Sequence, residues 1–117
     1  MTKKELLQQL IDNPEQVEFS TVISVIDMNY DYQPATFTNG DTTNDAGSNE
    51  GSCKIFAFAQ LNNLDQAATL ACFGGYYRED VLQNPDVDDH ANIRNFMRSG
   101  WDGIHFKSVA LSSKKPA

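Results

Sequence analysis

Cys53 is the residue of this 117-residue chain whose type and position are best suited to a chemical reaction. It follows Ser52, a residue type that often caps helices because its hydroxyl accepts a hydrogen bond from a free backbone N–H. If a helix begins there, the helix dipole and the adjacent Lys54 favour the thiolate, which is the nucleophilic form of cysteine. His90 is then the candidate general base. Three polar residues of the preceding loop are candidates to orient it: Asp41, Asn44 and Asp45. This pattern predicts a cysteine-dependent hydrolase or transferase as one function.

An alternative interpretation of Cys53 is a small, unreactive core residue, which is the commoner state of a reduced cysteine. Cys72 lies beside Phe73 in an apolar stretch, and we assign it to the core. His90 also has a second interpretation, as a helix cap that interacts with the acidic residues just before it. The two interpretations of Cys53 differ in the exposure of the sulfur. The sequence does not give that exposure, so both stay open.

A second group of side chains is typical of binding surfaces rather than of catalysis, because aromatic and arginine residues are common in interface hot spots and ligand pockets. This group consists of Tyr76, Tyr77, Arg78, Arg94 and Asn95. Arg78 and Arg94 have an equally good interpretation as internal partners of nearby carboxylates. Further candidate contacts come from the loop and the residue after Cys53: Asp41, Asn44, Asp45, Glu50 and Lys54. We expect the 39–52 loop, residues 76–78 and residues 90–94 to form one surface for an unknown protein or small-molecule ligand.

The sequence contains no recognisable metal-ligand pattern. The cysteines and histidines at positions 53, 72, 90 and 105 lack the spacing of a zinc site. Asp27, Asn29 and Asp31 match the start of a calcium-binding loop, but Tyr32 occupies the position that needs glycine and Thr38 the position that needs glutamate. We therefore predict no metal and no cofactor.

The elements that must position these residues are mostly helical. Apolar residues are consecutive from Ile55 to Ala59, so a helix there is buried on several sides. We predict a buried central helix over residues 53–62, capped by Ser52, with about five helices around it. Residues 32–38 and 104–111 are expected to be extended and to form a small two-stranded sheet or extended pair, and residues 41–51 a surface loop without regular structure. The predicted fold is one α+β domain over residues 1–117, predominantly α-helical.

The charge distribution restricts the partners. The net charge is −7, and no lysine or arginine lies between Glu5 and Cys53. Nucleic acids and anionic membranes are bound through clustered basic residues, so neither is a predicted partner. No apolar run is long enough for a transmembrane helix, and the first residues lack the pattern of a secretory signal peptide. The oligomeric state is left open by the sequence.

Several long motifs point to a known family. They are Asn39-Gly40-Asp41 with Asn44 and Gly47, the run from Gly51 to Leu61, Thr69 to Gly74 with Tyr76-Tyr77-Arg78, and His90 to Trp101. With these motifs the chain resembles the HopJ (HopPmaJ) type III effector family over nearly its whole length. The resemblance implies a bacterial cytoplasmic protein that a type III system secretes, and it brings no defined reaction or catalytic residue. We therefore expect a binding or interaction module of uncharacterised activity, with the cysteine-dependent hydrolase or transferase as the alternative.

Overall fold

The computed structural model describes residues 1–114, which form five α-helices and five short strands. The helices are α1 (Lys3–Asp12), α2 (Phe19–Asn29), α3 (Glu50–Leu61), α4 (Gln66–Ala71) and α5 (Ala91–Ser99). The strands are β1 (Tyr30–Tyr32), β2 (Phe37–Asn39), β3 (Thr42–Asn44), β4 (Ile104–Phe106) and β5 (Leu111–Ser113). Short 3-10 turns cover Pro14–Gln16 and Gly100–Gly103, and a π-helical turn covers Tyr76–Val81. The predicted α+β class, mostly helical, is confirmed.

Helix α3 lies at the centre of the molecule, as the apolar run predicted. Ile55, Phe56, Phe58 and Ala59 have no exposed surface, because the run covers opposing faces of the helix. The Phe56 ring packs against four other aromatic rings, with centroid distances from 5.0 to 6.3 Å. These rings belong to Phe37, Phe73, Phe96 and Trp101. The packing joins strand β2, the chain after α4 and helix α5 into one hydrophobic cluster.

The predicted start of α3 is wrong. The helix begins at Glu50, so Ser52 is its third residue and not its cap. Asn49 occupies the capping position in the left-handed backbone conformation, with φ 52°, and no side chain caps the first turn. The Cys53 amide already donates to the Asn49 carbonyl at 3.0 Å. Cys53 therefore lies in the first turn, but its own N–H is not among the free donors.

The predicted extended pair is present as two separate antiparallel sheets. Strand β1 pairs with β5, so that Tyr32 lies opposite Leu111. Strand β2 pairs with β4 on one side and with β3 on the other, in the order β3-β2-β4. The β2–β3 hairpin turns at Gly40, which has φ 62°. The expectation of an irregular loop over 41–51 is wrong at both ends, because 42–44 pair in this hairpin and 50–51 belong to α3.

A close backbone contact brings the start of α2 to the chain after α4. A Cβ on Gly74 would lie 2.6 Å from the Phe19 backbone nitrogen, and Gly74 has φ 59°. Only glycine fits both the conformation and the space. The π-helical turn that follows therefore begins beside the first residue of α2.

Candidate functional site

A surface pocket of about 480 Å³ lies where α2, α3 and α5 begin. Its walls come from Phe19 of α2, Asn44 of the β2–β3 hairpin, Ser52 of α3 and Tyr76 of the π-helical turn. A fifth wall is the start of α5, from His90 to Ile93. We call this the Asn44–His90 pocket. It unites parts of all three segments that the sequence predicted to form a binding surface.

The three helices that begin at the pocket share an unusual feature. None of α2, α3 and α5 has a side chain bonded to its first turn. The first N–H groups of a helix have no partner within the helix, and they carry the positive end of its dipole. In contrast, Thr2 caps α1 and Asp65 caps α4, each by accepting a hydrogen bond from a first-turn amide. The uncapped helix starts are therefore concentrated at the pocket.

Two of these helix starts also have a strained backbone. Asn49 and His90 each have φ 52°, in the left-handed region that residues with a Cβ rarely adopt. Within the described chain, Asn63 is the remaining non-glycine residue with positive φ. Strain of this kind clusters at functional sites, where the surrounding structure maintains it.

Buried asparagines form the floor beneath the pocket. The Asn44 amide donates to Asn92 Oδ1 at 3.1 Å, and Asn92 donates back to Asn44 Oδ1 at 3.0 Å. Asn49 also donates to Asn44 Oδ1, at 2.7 Å, and Asn39 donates to the Asn92 carbonyl at 2.8 Å. Because buried amides are costly unless bonded, this network fixes the hairpin, the start of α3 and the start of α5 relative to one another.

The His90 imidazole lines the pocket and is paired with the Asp80 carboxylate. Its Nε2 lies 3.1 Å from Asp80 Oδ2, and its ring packs on that of Tyr76 with centroids 5.3 Å apart. The Tyr76 ring in turn meets Phe19 edge-on at 5.1 Å. The imidazole is thus oriented by a carboxylate and by the Tyr76 ring, which Phe19 supports. Its predicted interaction with Asp88 and Asp89 is wrong, because Asp80 holds it.

Cys53 does not have the properties predicted for a nucleophile. The residue is 1% exposed, and its thiol donates to the Ala35 carbonyl, with sulfur and oxygen 3.7 Å apart. Burial raises the pKa of the Cys53 thiol above its ordinary value of 9.0, opposite to the predicted direction. The Cys53 thiol and the His90 imidazole bond to different partners, Ala35 and Asp80, and no hydrogen bond joins the two side chains. Cys72 is fully buried, and its burial raises the pKa to about 12.

The remaining predicted contacts are divided between internal partners and open surface. Arg78 donates to the Val17 carbonyl at 2.8 Å, and Arg94 forms an ion pair with Asp89 at 2.8 Å. Lys54 pairs with Asp27 at 2.9 Å on the side of α3 that faces Tyr32. The other predicted residues lie outside the pocket walls: Asp41, Asp45 and Glu50 are exposed, Tyr77 packs on the core and Asn95 is buried. Asn44, Tyr76 and His90 are the predicted residues that meet at the pocket.

Several residues of the pocket were absent from the predicted site, namely Phe19, Asn49, Ser52, Phe73 and Asn92. Phe73 lies in the apolar stretch beside Cys72 that the sequence assigns to the core. Ser52 is predicted from the sequence as a helix cap and not as a pocket residue. The three-residue interval from Asn92 to Asn95 places both on one face of α5, and this is the signal that could have revealed the asparagine network.

Within residues 1–114, no group of three or more His, Cys, Asp or Glu side chains is arranged to hold a metal ion. In the same part of the chain, none of the helices has the length and hydropathy to cross a membrane.

Known proteins with this fold include one of high similarity. The crystal structure described as that of the unknown function protein VPA0580 superposes with a TM-score of 0.96, at 58% sequence identity. The alignment covers 97% of this chain and 95% of that one. No curated protein matches the chain. The family model of the HopJ type III effector protein matches residues 3–111. Since the match spans nearly the whole sequence, this chain belongs to the HopJ type III effector family.

Proposed function

We propose that this effector-family protein is a binding module and that the Asn44–His90 pocket is its recognition site. The observation that carries the proposal is the meeting of two strained, uncapped helix starts in one pocket, at Asn49 and His90. A packed protein retains such strain only where other contacts enforce it. The asparagine network beneath the pocket supplies those contacts.

The chemistry of the pocket walls indicates what kind of group is bound. Free helix N–H groups, the Ser52 hydroxyl and the Asn49 amide are suited to a ligand rich in hydrogen-bond acceptors. Phe19 and Tyr76 offer an apolar surface on which a flat or aliphatic part of that ligand packs, and the buried Phe73 also lines the pocket. A pocket of this kind accommodates a small molecule or one side chain of a protein partner.

Family membership implies that the protein is an effector that a type III system secretes. Its partner would then be met in a host cell, or in the bacterium before export. We do not propose a thiol enzyme, because the buried Cys53 with its raised pKa has neither the exposure nor the acidity of a nucleophile.

Comparative capture with matched variants tests the proposal. Ser52→Trp fills the pocket, and Tyr76→Ala removes an apolar wall that is 45% exposed. Met28→Ala is the control, because Met28 is 69% exposed on α2 and lies outside the pocket. Host and bacterial extracts, both protein and metabolite fractions, are passed over each immobilised variant.

We expect at least one component to bind the wild type and Met28→Ala equally and to be lost with both pocket variants. Its binding should be at least about tenfold weaker to Ser52→Trp, because an indole ring in the pocket takes the place of the ligand. If every captured component binds Ser52→Trp as well as the wild type, the pocket is not the recognition site.

A further inference from the structure

We propose that a second cleft, centred on Arg98, binds a small apolar monocarboxylate of the medium-chain fatty-acid class. This cleft of about 360 Å³ lies between the π-helical turn, the chain over residues 82–88 and helix α5. We call it the Arg98 cleft. It is lined by a different face of α5 from the Asn44–His90 pocket, with Ala91 common to both. The inference is independent of the proposed function.

Six of the ten residues that line the Arg98 cleft are apolar, and the other four are Asp88, Arg94, Asn95 and Arg98. Leu82 and Val87 are each 47% exposed and Met97 is 37% exposed, while the buried Val81 lies behind them. Single apolar residues on a surface are ordinary, whereas these side chains line one concave cleft. Together these side chains offer the surface that an aliphatic chain would cover.

Arg98 gives the cleft a preference for a negatively charged ligand. In the described chain it has no carboxylate within ion-pair distance, whereas Lys54, His90 and Arg94 each have one. Its guanidinium donates to the Asn95 side-chain oxygen, which leaves further N–H groups for another acceptor. A guanidinium fork suits a carboxylate particularly well, because it can donate two parallel hydrogen bonds.

The buried Asn95 fixes the orientation of the Arg98 side chain. Asn95 is only 5% exposed and donates to the Asn39 carbonyl at 3.2 Å and to Thr42 Oγ1 at 2.9 Å. Both acceptors belong to the β2–β3 hairpin. An arginine held by a buried amide loses less side-chain freedom on binding than a free surface arginine.

The surroundings select a singly charged ligand. Asp88 and Arg94 also line the cleft, Arg94 is already paired with Asp89, and the whole chain has a net charge of −7. A phosphate dianion or a strongly acidic peptide would be repelled by this field, while one carboxylate paired with Arg98 adds little repulsion. The apolar walls then favour an aliphatic tail over a polar one.

Titration by NMR spectroscopy tests this inference with defined probes. Octanoate, octanol and octylamine carry the same tail and differ only in charge. We expect octanoate to shift the signals of Leu82, Val87 and Met97 in a saturable way, and the alcohol and the amine to bind at least about tenfold more weakly, since a charge-assisted hydrogen bond is lost. Equal binding of octanoate and octylamine would overturn the inference, as would shifts confined to another surface.

Two variants and a matched control locate the carboxylate. Arg98→Met keeps a long side chain but removes the charge, and Val87→Asp places a carboxylate on an exposed apolar wall. Both should weaken octanoate binding at least about tenfold, whereas Lys4→Met, which removes one exposed positive charge from α1, should leave it unchanged. Far-ultraviolet circular dichroism establishes that each variant is folded. Unchanged affinity in a folded Arg98→Met or Val87→Asp would show that octanoate does not bind as proposed.

Discussion

At the scale of single residues, the two cysteines are shielded by the core. Burial raises the pKa of Cys53 from 9.0 and that of Cys72 to about 12, so neither thiol ionises in the folded chain near neutral pH. We expect iodoacetamide to label both only slowly at pH 8 and rapidly in urea, because only the thiolate reacts. Mass spectrometry of the labelled chain measures this. Fast labelling of Cys53 in the folded protein would restore the nucleophile hypothesis.

The same raised pKa values predict how stability depends on pH. The Cys72 thiol stays protonated in the folded chain up to about pH 12, whereas in the unfolded chain it ionises above its ordinary pKa of 9.0. Its contribution to the stability of the folded state is therefore fully present below pH 9. Above pH 9 the unfolded state binds fewer protons, so the free energy of unfolding falls as the pH rises toward about 12. Urea unfolding at pH 8, 9 and 10 should show a steeper loss in the wild type than in Cys72→Ala. Equal slopes would contradict the assignment.

His90 permits a test of backbone strain at the Asn44–His90 pocket. With φ at 52°, alanine at this position retains the penalty of a Cβ in the left-handed region, whereas glycine does not. We expect His90→Gly to be more stable than His90→Ala by ~1 kcal/mol in urea unfolding. Ala91→Gly, one residue later in the helix, should be less stable than the wild type. A His90→Gly variant no more stable than His90→Ala would show that this start of α5 is relaxed.

At the scale of elements, helix α3 should be the most sensitive to truncation. Phe58 has no exposed surface and packs edge-on against Tyr30 with centroids 5.9 Å apart. Phe58→Ala should reduce the free energy of unfolding by ~3–5 kcal/mol, through lost burial and the cavity left behind. Leu61→Ala, in the same helix but 53% exposed, should change it by less than ~0.5 kcal/mol. Similar effects for both would contradict the central position of α3.

The contact between the β2–β3 hairpin and α5 depends on Asn92. Asn92→Ala would leave the buried Asn44 amide without its partner, at a cost of ~1–3 kcal/mol. We expect hydrogen exchange of the backbone amides over residues 37–44 to become faster than in Met97→Ala, a substitution on the exposed side of the same helix. Unchanged exchange in Asn92→Ala would show that the hairpin is held by its strand pairing alone.

The interiors of these elements were predictable, whereas the helix starts at the pocket were not. The apolar run from Ile55 to Ala59 determines burial by itself, so the centre of α3 was found from the sequence. The start of α3 depends on Asn49, whose left-handed conformation accompanies a hydrogen bond to Asn44 from another element. No local pattern encodes such a contact. Similarly, Arg78 and Arg94 bond to backbone carbonyls of Val17 and Asp89, and carbonyls are present at every position.

At the scale of the whole molecule, one hydrophobic cluster runs through the described elements. Its side chains come from α1 to α5 and from four of the strands, so no part of the cluster can open without exposing the rest. The single domain predicted over residues 1–117 should therefore unfold in one transition. Urea curves followed by Trp101 fluorescence and by far-ultraviolet circular dichroism should coincide. Two separated midpoints would indicate two domains.

The set of residues that line the Asn44–His90 pocket depends on how the whole molecule folds. For this reason the sequence predicted that set only in part. Phe19, Asn44, Tyr76 and His90 come from four elements distributed over most of the chain. The motifs indicated the correct segments. Which side chain of each segment faces the pocket depends on the packing of α2, α3 and α5 against one another, a tertiary property that spacing does not reveal.

The turn of the β2–β3 hairpin also determines how the protein ages chemically. In an unfolded chain, the Asn39-Gly40 sequence is prone to deamidation, because the glycine nitrogen attacks the asparagine side chain to form a succinimide. In the fold, the Gly40 nitrogen donates to the Gly103 carbonyl at 3.0 Å, and the Asn39 amide is held by Asn92. Both reacting groups are therefore engaged, and the rate of deamidation at Asn39 reports the fraction of time during which the hairpin is open.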